Sequence, residues 1–457
     1  MNNKSIHFIG IGGIGMSGIA ELCLKKGYRV SGSDISDSEN MQKLNKLGAQ
    51  VCVGHKTSNV KGKDMVVYSS AIVSANCELE EANRLRIKVL KRAQALAFLM
   101  NSHLVITVTG AHGKTTTSSL AGHLLNTANF SPTIAVGGIV GNTASNAELG
   151  SGRYFVAEAD ESDGTFLYYK PKYSIITNID REHLDFYGTF ENVKKCFKKF
   201  VLNTEKDGCV FWCYDDLELR NIIKDSKVSN LSFGLDKHAA IHATNIELNP
   251  TGSEFDVFYN KKLLDRFKLS IPGLHNVSNS LSVIALGLSL RVDIGLIKKS
   301  LETFKGVKRR FQIKHNHDDV LIIDDYAHHP NEIAATIKTG KLLGRKRIVV
   351  VFQPHRYTRL KSLLEQFTKC FSDAHHLFIT DIYSAGETKI EGVDSNKLYE
   401  LMRNSQSPKT DLLAKSEIVG SISNFIKKGD LVFFLGAGDI NKISDELVKE
   451  LKRKSKV

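Results

Sequence analysis

The chain has 457 residues, which is too long for one compact core, because domains usually hold roughly 100 to 200 residues. Its 42% hydrophobic and 24% charged residues are typical of an ordinary globular protein. No apolar run in the sequence reaches the ~20 residues that a membrane-spanning helix needs. The net charge of +13 permits a nucleic-acid partner, but lysines spread along the chain fit sites for phosphorylated substrates at least as well. We therefore expect about three globular domains and no membrane partner.

Cysteine usage and the N-terminus indicate the compartment. The seven cysteines are scattered and form no C-x-x-C pair, so we expect reduced thiols rather than disulfides or a zinc site. The N-terminal residues run directly into a strand-like pattern and lack the charged, apolar and small-residue regions of a signal peptide. These features predict a cytoplasmic protein.

Residues 5–34 show the pattern strand, glycine turn, helix, strand. The turn reads G-x-G-x-x-G at Gly10, Gly12 and Gly15, and Asp34 ends the second strand where a Rossmann unit places its ribose-binding acid. Glycines let a pyrophosphate approach the backbone at a helix N-terminus, since side chains there would block it. The stretch predicts a site for a nucleotide diphosphate without saying which nucleotide.

The rest of the first domain is predicted to complete a parallel sheet. Short strands are expected at 50–53 and 65–68, and the second is followed by the hydroxyls of Ser69 and Ser70, which could meet the same ligand. Alternating strands and helices of this length indicate right-handed crossovers and a domain that ends near residue 102.

Residues 105–117, VITVTGAHGKTTT, are predicted to form a phosphate-binding loop. The β-branched run through Val108 should be a buried strand, and a helix should begin at Lys114 with its unpaired N–H groups facing an anion. Lys114 supplies a charge for terminal phosphates, and Thr115 a hydroxyl for the accompanying Mg²⁺. The general pattern G-x-x-x-x-G-K-[ST] wants glycine at Val108, so the match is partial.

Two further stretches of the central part carry acidic and imidazole side chains. Residues 154–163, YFVAEADESD, end a predicted strand in four acidic residues, which is the place where an open parallel sheet binds ligands and where oxygen ligands for Mg²⁺ would lie. The loop 177–185 adds Asn178, Asp180 and His183. Residues 210–270 are predicted to be β-rich without evident chemistry, and a helix after 272 carries His275 and Asn279, which could contact a nucleobase.

The last third, from about residue 306, is predicted to be another open α/β sheet. Four strand-like runs lead into the loops DDYAHHPNE, QPHRYTR, DIYSAGE and GAGDI. Arg356 and Arg359 could together clamp a carboxylate or phosphate. His328, His329 and His355 could transfer protons, whereas their spacing matches no zinc pattern.

Taken together, these motifs resemble the ATP-dependent Mur ligases of bacterial cell-wall synthesis. The resemblance covers nearly the whole chain, and the motifs that carry it, in family order, are HFIGIGGIGMSGIAE, TGAHGKTTT, EADESD, TNIDREHLD, PGLHNVSN, GVKRRF, DDYAHHP, FQPHRYTR, DIYSAGE and GAGDI. It implies an α/β protein of three domains. They are a Rossmann-like UDP-sugar domain (1–102), a central ATPase domain with a mainly parallel sheet and a smaller β-rich part (103–305), and a Rossmann-like amino-acid domain (306–457).

The resemblance also implies roles for individual residues. The UDP-sugar would be held by Gly10, Gly12, Gly13, Gly15, Asp34, His55, Ser69, Ser70 and Asn146. ATP would be held by Gly110, Ala111, His112, Gly113, Lys114, Thr115, Thr116, His275, Asn279, Arg310 and Asp325. The metal ligands would be Thr115, Glu158 and His183, and the amino acid would be held by Tyr326, His328, Arg356 and Arg359. The residues implied in catalysis are Lys114, His183, His328, Arg356 and Arg359.

The implied reaction uses ATP and Mg²⁺ to join L-alanine to the lactyl carboxylate of UDP-N-acetylmuramate through an acyl phosphate. We expect a monomer or weak homodimer that binds no nucleic acid. The chain departs from the family pattern at Ala111, at Glu182 and at Ala144-Ser145, and the last difference places the local turn in question. Three alternatives remain, namely a ligase that adds a preformed peptide to the same UDP-sugar, a nucleic-acid-binding ATPase and, least favoured, a non-enzymatic scaffold.

Overall fold

The computed structural model describes residues 4–403 and 408–454, which form three sheets flanked by helices. These residues belong to two compact units. The first unit comprises residues 4–246, 254–270 and 276–306, and the second comprises 247–253, 271–275, 307–403 and 408–454. No helix in the described ranges is both long enough and apolar enough to cross a bilayer.

The first sheet has five parallel strands in the order β3-β2-β1-β4-β5. Its strands are β1 (Ser5–Ile9), β2 (Arg29–Asp34), β3 (Gln50–Val53), β4 (Met65–Tyr68) and β5 (Lys88–Lys91). Its helices are α1 (Ile14–Lys25), α2 (Glu39–Lys46), α3 (Cys77–Arg84) and α4 (Arg92–Met100). The chain leaves β1 for β2 on one side and returns to β4 on the other, so a ligand crevice opens at the carboxyl end of β1.

The second sheet has ten strands in the order β15-β14-β13-β12-β11-β10-β6-β9-β7-β8. Its strands are β6 (Leu104–Thr109), β7 (Thr133–Val140), β8 (Ser145–Glu148), β9 (Tyr154–Glu158), β10 (Tyr173–Ile176), β11 (Cys209–Cys213), β12 (Asn230–Gly234), β13 (Ile241–Asn249), β14 (Gly252–Tyr259) and β15 (Lys262–Leu269). The associated helices are α5 (Lys114–Thr127), α6 (Leu184–Tyr187), α7 (Phe190–Leu202), α8 (Leu217–Lys224), α9 (Leu274–Ser289) and α10 (Ile294–Thr303). Strand β6 lies between β9 and β10 and runs parallel to both. The segments that follow these three strands therefore meet at one edge of the sheet.

The third sheet has six strands in the order β16-β17-β21-β18-β19-β20, with β16 antiparallel to β17 and the other pairs parallel. Its strands are β16 (Gln312–His317), β17 (Val320–Asp325), β18 (Arg347–Phe352), β19 (His376–Ile379), β20 (Lys409–Leu412) and β21 (Asp430–Leu435). Its helices are α11 (Pro330–Lys341), α12 (Tyr357–Phe367), α13 (Ser395–Arg403), α14 (Ile418–Phe425) and α15 (Ile440–Lys454).

The central strands of the third sheet are apolar along their length because helices cover both faces. Leu321 and Ile323 of β17 pack into one buried cluster, whereas Val320 and Ile322 pack into a second cluster on the opposite face. A parallel strand that is covered on both sides reads as a continuous apolar run rather than as an alternating one. The predicted strands at 50–53 and 65–68, in the first sheet, are confirmed as β3 and β4.

The turn that the sequence left in question is well formed. Ala144 adopts a left-handed conformation with φ 52°, and its N–H donates to the Val140 carbonyl at 2.8 Å. Val140 pairs with Ser145 across the antiparallel hairpin of β7 and β8. The departure at Ala144-Ser145 thus leaves the hairpin intact, and Asn146 is buried within β8.

Candidate active site

The glycine turn lies at the carboxyl end of β1, as the sequence predicted. Gly10, Gly12 and Gly13 form the turn, and Gly15 lies in the first turn of α1. Asp34 uses one carboxylate oxygen to accept from the Gly12 N–H at 2.9 Å and the other to accept from the Ile35 N–H at 2.8 Å. Asp34 therefore shapes the glycine turn in this structure.

Other residues predicted to hold the UDP-sugar lie near the same turn. The Asn146 side chain donates to the Ile14 carbonyl at 2.6 Å, which attaches β8 to the start of α1. The Ser69 N–H donates to the Ile9 carbonyl at 3.2 Å, and Ser70 beside it is exposed. The structure thus brings the glycine turn, Asp34, Ser69 and Asn146 together.

His55 belongs to a buried cluster that the sequence analysis missed. At its centre is Glu78, which is fully buried. Its contacts within 3.4 Å are His7, Ser33, His55, Asn59 and the N–H of Lys56. Burial alone would raise the pKa of Glu78, but hydrogen bonds from His7, Ser33 and Asn59 lower it to about 2. The ionised carboxylate holds His55, whose Nδ1 also lies 2.9 Å from the Ser33 hydroxyl.

The phosphate loop connects β6 to α5, which begins at Lys114 as predicted. No side chain caps α5, since Gly113 precedes it in a left-handed conformation with φ 84°. The first N–H groups of a helix have no partner within the helix, so this N-terminus can receive an anion. Thr115 and Thr116 are buried in its first turn, and the Asn279 amide lies beside Gly113.

Lys114 is held inside the loop by three acceptors. Its ammonium donates to the carbonyls of Gly110 at 2.6 Å and Ala111 at 3.1 Å, and to Glu161 Oε1 at 2.9 Å. Although burial lowers the pKa of Lys114, the nearby carboxylates, Glu161 first, raise it well above its ordinary value. Lys114 therefore carries its charge at the place where terminal phosphates would bind.

The acidic edge supplies candidate ligands for a cation. Glu158 ends β9 opposite Val108, and its carboxylate accepts from the Gly137 N–H at 2.9 Å. His183 Nε2 lies 3.7 Å from Glu161 and 3.5 Å from Glu182, and one atom from each of the three lies within 4.8 Å of the others. Glu161 Oε2 is buried and has no hydrogen-bond partner among the described residues. Burial raises the pKa of Glu161 to about 7.

These observations extend the predicted metal ligands. His183 was predicted as a ligand, and the structure adds Glu161 and Glu182 beside it. The buried Glu161 oxygen that has no hydrogen-bond partner among the described residues lies close to the Glu182 carboxylate and the His183 imidazole. This set of ligands suits a divalent cation. Glu161 was missed because four acidic residues in six positions gave no reason to prefer it over its neighbours.

The second unit gathers the residues predicted to bind the amino acid. The ring of His328 lies 5.3 Å from that of Tyr326 and 5.4 Å from that of His355. Arg359 Nη1 lies 3.0 Å from His355 Nδ1. Burial, reinforced by His328 and nearby arginines, lowers the pKa of His355 to about 2, so its imidazole is neutral beside Arg359. His355 was considered for proton transfer, and the structure shows that it supports Arg359.

Arg356 starts helix α12 from a left-handed conformation with φ 67°. Its guanidinium is partly exposed, and Nε lies 3.9 Å from Glu387. Both predicted arginines therefore follow the carboxyl end of β18, beside the histidines that follow β17.

Arg310, Asp325 and His275 were predicted to contact ATP and also belong to the second unit. Arg310 lies over the Tyr326 ring at 5.0 Å and 3.8 Å from Glu332. Asp325 accepts from the N–H groups of Phe311 and Ala327, both at 2.7 Å, and burial raises its pKa to about 6. Asp325 thus orders the backbone around Arg310 and Tyr326.

A phosphate loop, an acidic edge fit for a cation and an arginine–histidine cluster define an α/β enzyme of the class that activates an acid with a nucleoside triphosphate. Comparisons with known proteins narrow this class. Three family models match in chain order, described as "Mur ligase family, catalytic domain" over 5–104, "Mur ligase middle domain" over 108–287 and "Mur ligase, glutamate ligase domain" over 309–438.

Curated relatives match over nearly the whole chain. The UDP-N-acetylmuramate-L-alanine ligase of Geotalea daltonii is 42% identical over 450 residues, covering 98% of each chain. That of Rickettsia typhi is 41% identical over 460 residues, covering 98% of this chain and 92% of the relative. The crystal structure of the UDP-N-acetylmuramate-alanine ligase of Thermotoga maritima is similar with a TM-score of 0.84 at 31% identity, covering 98% of this chain and 99% of that one.

The chain belongs to the Mur ligase family. It is accordingly an ATP-dependent ligase that forms an amide bond, and the predicted α/β fold class and Mur ligase resemblance are confirmed.

Proposed function

We propose that the chain joins L-alanine to the lactyl carboxylate of UDP-N-acetylmuramate, converting ATP to ADP and phosphate. The observation that carries this proposal is 42% identity over 98% of the chain to a relative of that activity. A ligase for the preformed peptide L-alanyl-γ-D-glutamyl-meso-diaminopimelate, from Neisseria meningitides, is 28% identical over 67% of this chain. The higher identity to the L-alanine ligase favours the single amino acid.

In the first step the lactyl carboxylate attacks the γ-phosphate of ATP. A carboxylate O–P bond forms, the bond from the γ-phosphorus to ADP breaks, and the products are an acyl phosphate and ADP. Both partners are anionic, so the reaction needs fixed positive charge around the transferring group. Lys114 supplies this charge, and the first N–H groups of α5 face the phosphates. To reach them, Lys114 exchanges its bonds to the Gly110 and Ala111 carbonyls for phosphate oxygens.

Magnesium fits the acidic edge. We propose that Thr115 and Glu158 hold one Mg²⁺ and that His183, with Glu161 and Glu182, holds a second. When bound, these ions would neutralise phosphate charge.

The second step is displacement of phosphate from the acyl phosphate by the amine of L-alanine. Arg356 and Arg359 bind the L-alanine carboxylate, which guanidinium groups can do bidentately. An α-amine has a pKa near ~7.7 to 8.0, so it needs only a weak base to lose its proton, and we propose that His328 accepts this proton. The proton leaves the attacking nitrogen as the C–N bond forms and the C–O bond to phosphate breaks.

The test is phosphate release from ATP with UDP-N-acetylmuramate and, in separate reactions, L-alanine, glycine, L-serine and the tripeptide. We expect release that depends on both substrates and is fastest with L-alanine. Faster release with the tripeptide would replace this function by peptide ligation, and DNA-stimulated ATP hydrolysis would indicate the nucleic-acid alternative. Lys114→Ala should abolish the release. The cytoplasmic location and the monomeric or weakly dimeric state stay predictions.

A further inference from the structure

The phosphate loop is attached to the segment that follows β10. Thr177 Oγ1 donates to the His112 carbonyl at 2.6 Å and to the Thr109 carbonyl at 3.2 Å. The Ala111 N–H donates to the Asn178 carbonyl at 3.2 Å. The loop therefore takes its shape from contacts to a neighbouring strand end as well as from its own glycines.

The Asn178 side chain makes the most specific of these contacts. Its Oδ1 accepts from the His112 N–H at 2.8 Å, and its Nδ2 donates to the His112 carbonyl at 3.0 Å. One amide thus pairs with both backbone groups of one residue, as a neighbouring strand would. This pairing fixes the backbone of His112 and occupies its N–H.

The pairing has a consequence for nucleotide binding. The N–H groups of Ala111 and His112 both donate to Asn178. The N–H groups from Gly113 onward are therefore the ones that can donate to a phosphate. Those groups belong to the first turn of α5, where the helix dipole also favours an anion. Asn178 therefore decides which part of the loop faces the phosphates.

The residue that follows Asn178 is held by the segment between β11 and α8. Asp216, which caps α8, accepts from the Ile179 N–H at 2.7 Å and from the Leu219 N–H at 2.9 Å. Two sets of hydrogen bonds, joined by the peptide bond between Asn178 and Ile179, consequently connect Asp216 at the start of α8 to His112.

We propose that Asn178 is a positioning residue for the phosphate loop, which it holds in the nucleotide-binding shape before ATP arrives, and that Asp216 holds Asn178. This inference rests on the proposed use of ATP at Lys114. It assigns no contact between Asn178 and substrate.

The test compares Asn178→Asp and Asn178→Ala with the wild-type enzyme. Asn178→Asp keeps Oδ1 but replaces the donor by an oxygen that faces the His112 carbonyl, and Asn178→Ala removes both bonds. We expect the KM for ATP and the Kd for ADP by calorimetry to rise about tenfold, the effect of losing about 1.4 kcal/mol of hydrogen bonding. The KM values for UDP-N-acetylmuramate and L-alanine should change less than twofold.

Two further variants separate positioning from general destabilisation. Asn203→Asp is a matched control, because Asn203 Nδ2 donates to the Leu167 carbonyl at 2.9 Å in the same unit, and its ATP kinetics should stay at the wild-type level. Asp216→Asn acts one link away and should raise the KM for ATP in the same direction by a smaller factor. It keeps the inference testable if the Asn178 variants do not fold.

Two outcomes would overturn the inference. One is a folded Asn178→Asp enzyme with an unchanged KM for ATP, and the other is an equal rise in all three KM values together with a lower melting temperature. A wild-type enzyme that releases no phosphate with L-alanine would refute the proposed function instead, while ADP affinity in the same proteins would still test Asn178.

Discussion

The ammonium of Lys114 and the carboxylate of Glu161 lie 2.9 Å apart, with Glu161 only 2% exposed. Lys114 is thus paired with an acidic residue that also borders His183. Glu161 therefore links the phosphate loop to the candidate cation site.

Glu161→Gln keeps the size of this side chain and removes its charge. We expect kcat to fall about a hundredfold, because the candidate cation site would lose a charged ligand, and the Mg²⁺ concentration for half-maximal activity to rise. Steady-state phosphate release over a Mg²⁺ titration measures both. Glu205→Gln, at an exposed position of the same unit, is the control. Unchanged Mg²⁺ dependence in the Glu161 variant would contradict a role in cation binding.

Glu78 should contribute stability that depends on pH. Its folded-state pKa of about 2 lies below the ordinary value of 4.5, so its contribution is present above about pH 4.5 and is lost as pH falls towards 2. The full shift corresponds to about 3 kcal/mol of unfolding free energy. Urea unfolding at pH 7 should show that Glu78→Gln has a lower free energy of unfolding than the wild type by this amount. The difference in unfolding free energy should shrink as the pH falls towards 3.

Glu80→Gln is the matched control for Glu78, because Glu80 lies on the same helix with an exposed side chain. We expect it to change the free energy of unfolding by less than about 1 kcal/mol. Equal effects at the two positions would show that the buried cluster has no special energetic role.

Gly110→Ala should disrupt the phosphate loop. Gly110 has φ +131°, and an added Cβ would lie 2.2 Å from Thr177 Oγ1 and 2.9 Å from the Asn178 backbone. Gly62 also has a positive φ, of +69°, but an added Cβ there meets nothing within 4 Å. Both variants carry conformational strain, so Gly110→Ala should lose at least about 2 kcal/mol more unfolding free energy than Gly62→Ala. Chemical denaturation measures both losses of unfolding free energy. Equal losses in the two variants would mean that the phosphate loop accommodates a side chain at Gly110.

Arg359→Lys should separate amino-acid binding from ATP binding. Lysine keeps the charge but loses the planar fork and the contact to His355, so the KM for L-alanine should rise at least about tenfold. The KM for ATP should remain within a factor of two. Arg345→Lys serves as the control, because Arg345 precedes β18 whereas Arg359 follows it. A parallel rise in both KM values would place Arg359 outside the amino-acid site.

Much of the local structure was predictable, for identifiable reasons. Strands β1, β4 and β6 are apolar and end in glycine or hydroxyl residues, and these two signals depend on sequence alone. Edge strands such as β5 and β20 were not predicted, because they are short and expose part of their side chains, which weakens the apolar pattern.

Some residues of the candidate site could likewise be predicted from the sequence, and others could not. Lys114 and the arginines after β18 stand in recognisable motifs, so their residue type and spacing were sufficient to select them. Glu78 and Glu161 look in the sequence like ordinary surface acids, and Asn178 like one polar residue in a crowded loop. Burial distinguishes Glu78 and Glu161, and pairing with the loop backbone distinguishes Asn178.

The sequence by itself determined that this chain forms α/β domains with a glycine turn, a phosphate loop and an arginine-bearing loop, because apolar period, glycine placement and residue chemistry are local properties. The tertiary structure alone decided that Glu161 forms an ion pair with Lys114, that Glu78 contacts two histidines and that the Asn178 side chain pairs with the His112 backbone. Those contacts join residues up to 71 positions apart, and the contacts of Lys114 and His112 exist because parallel strands bring their carboxyl ends to one edge of a sheet.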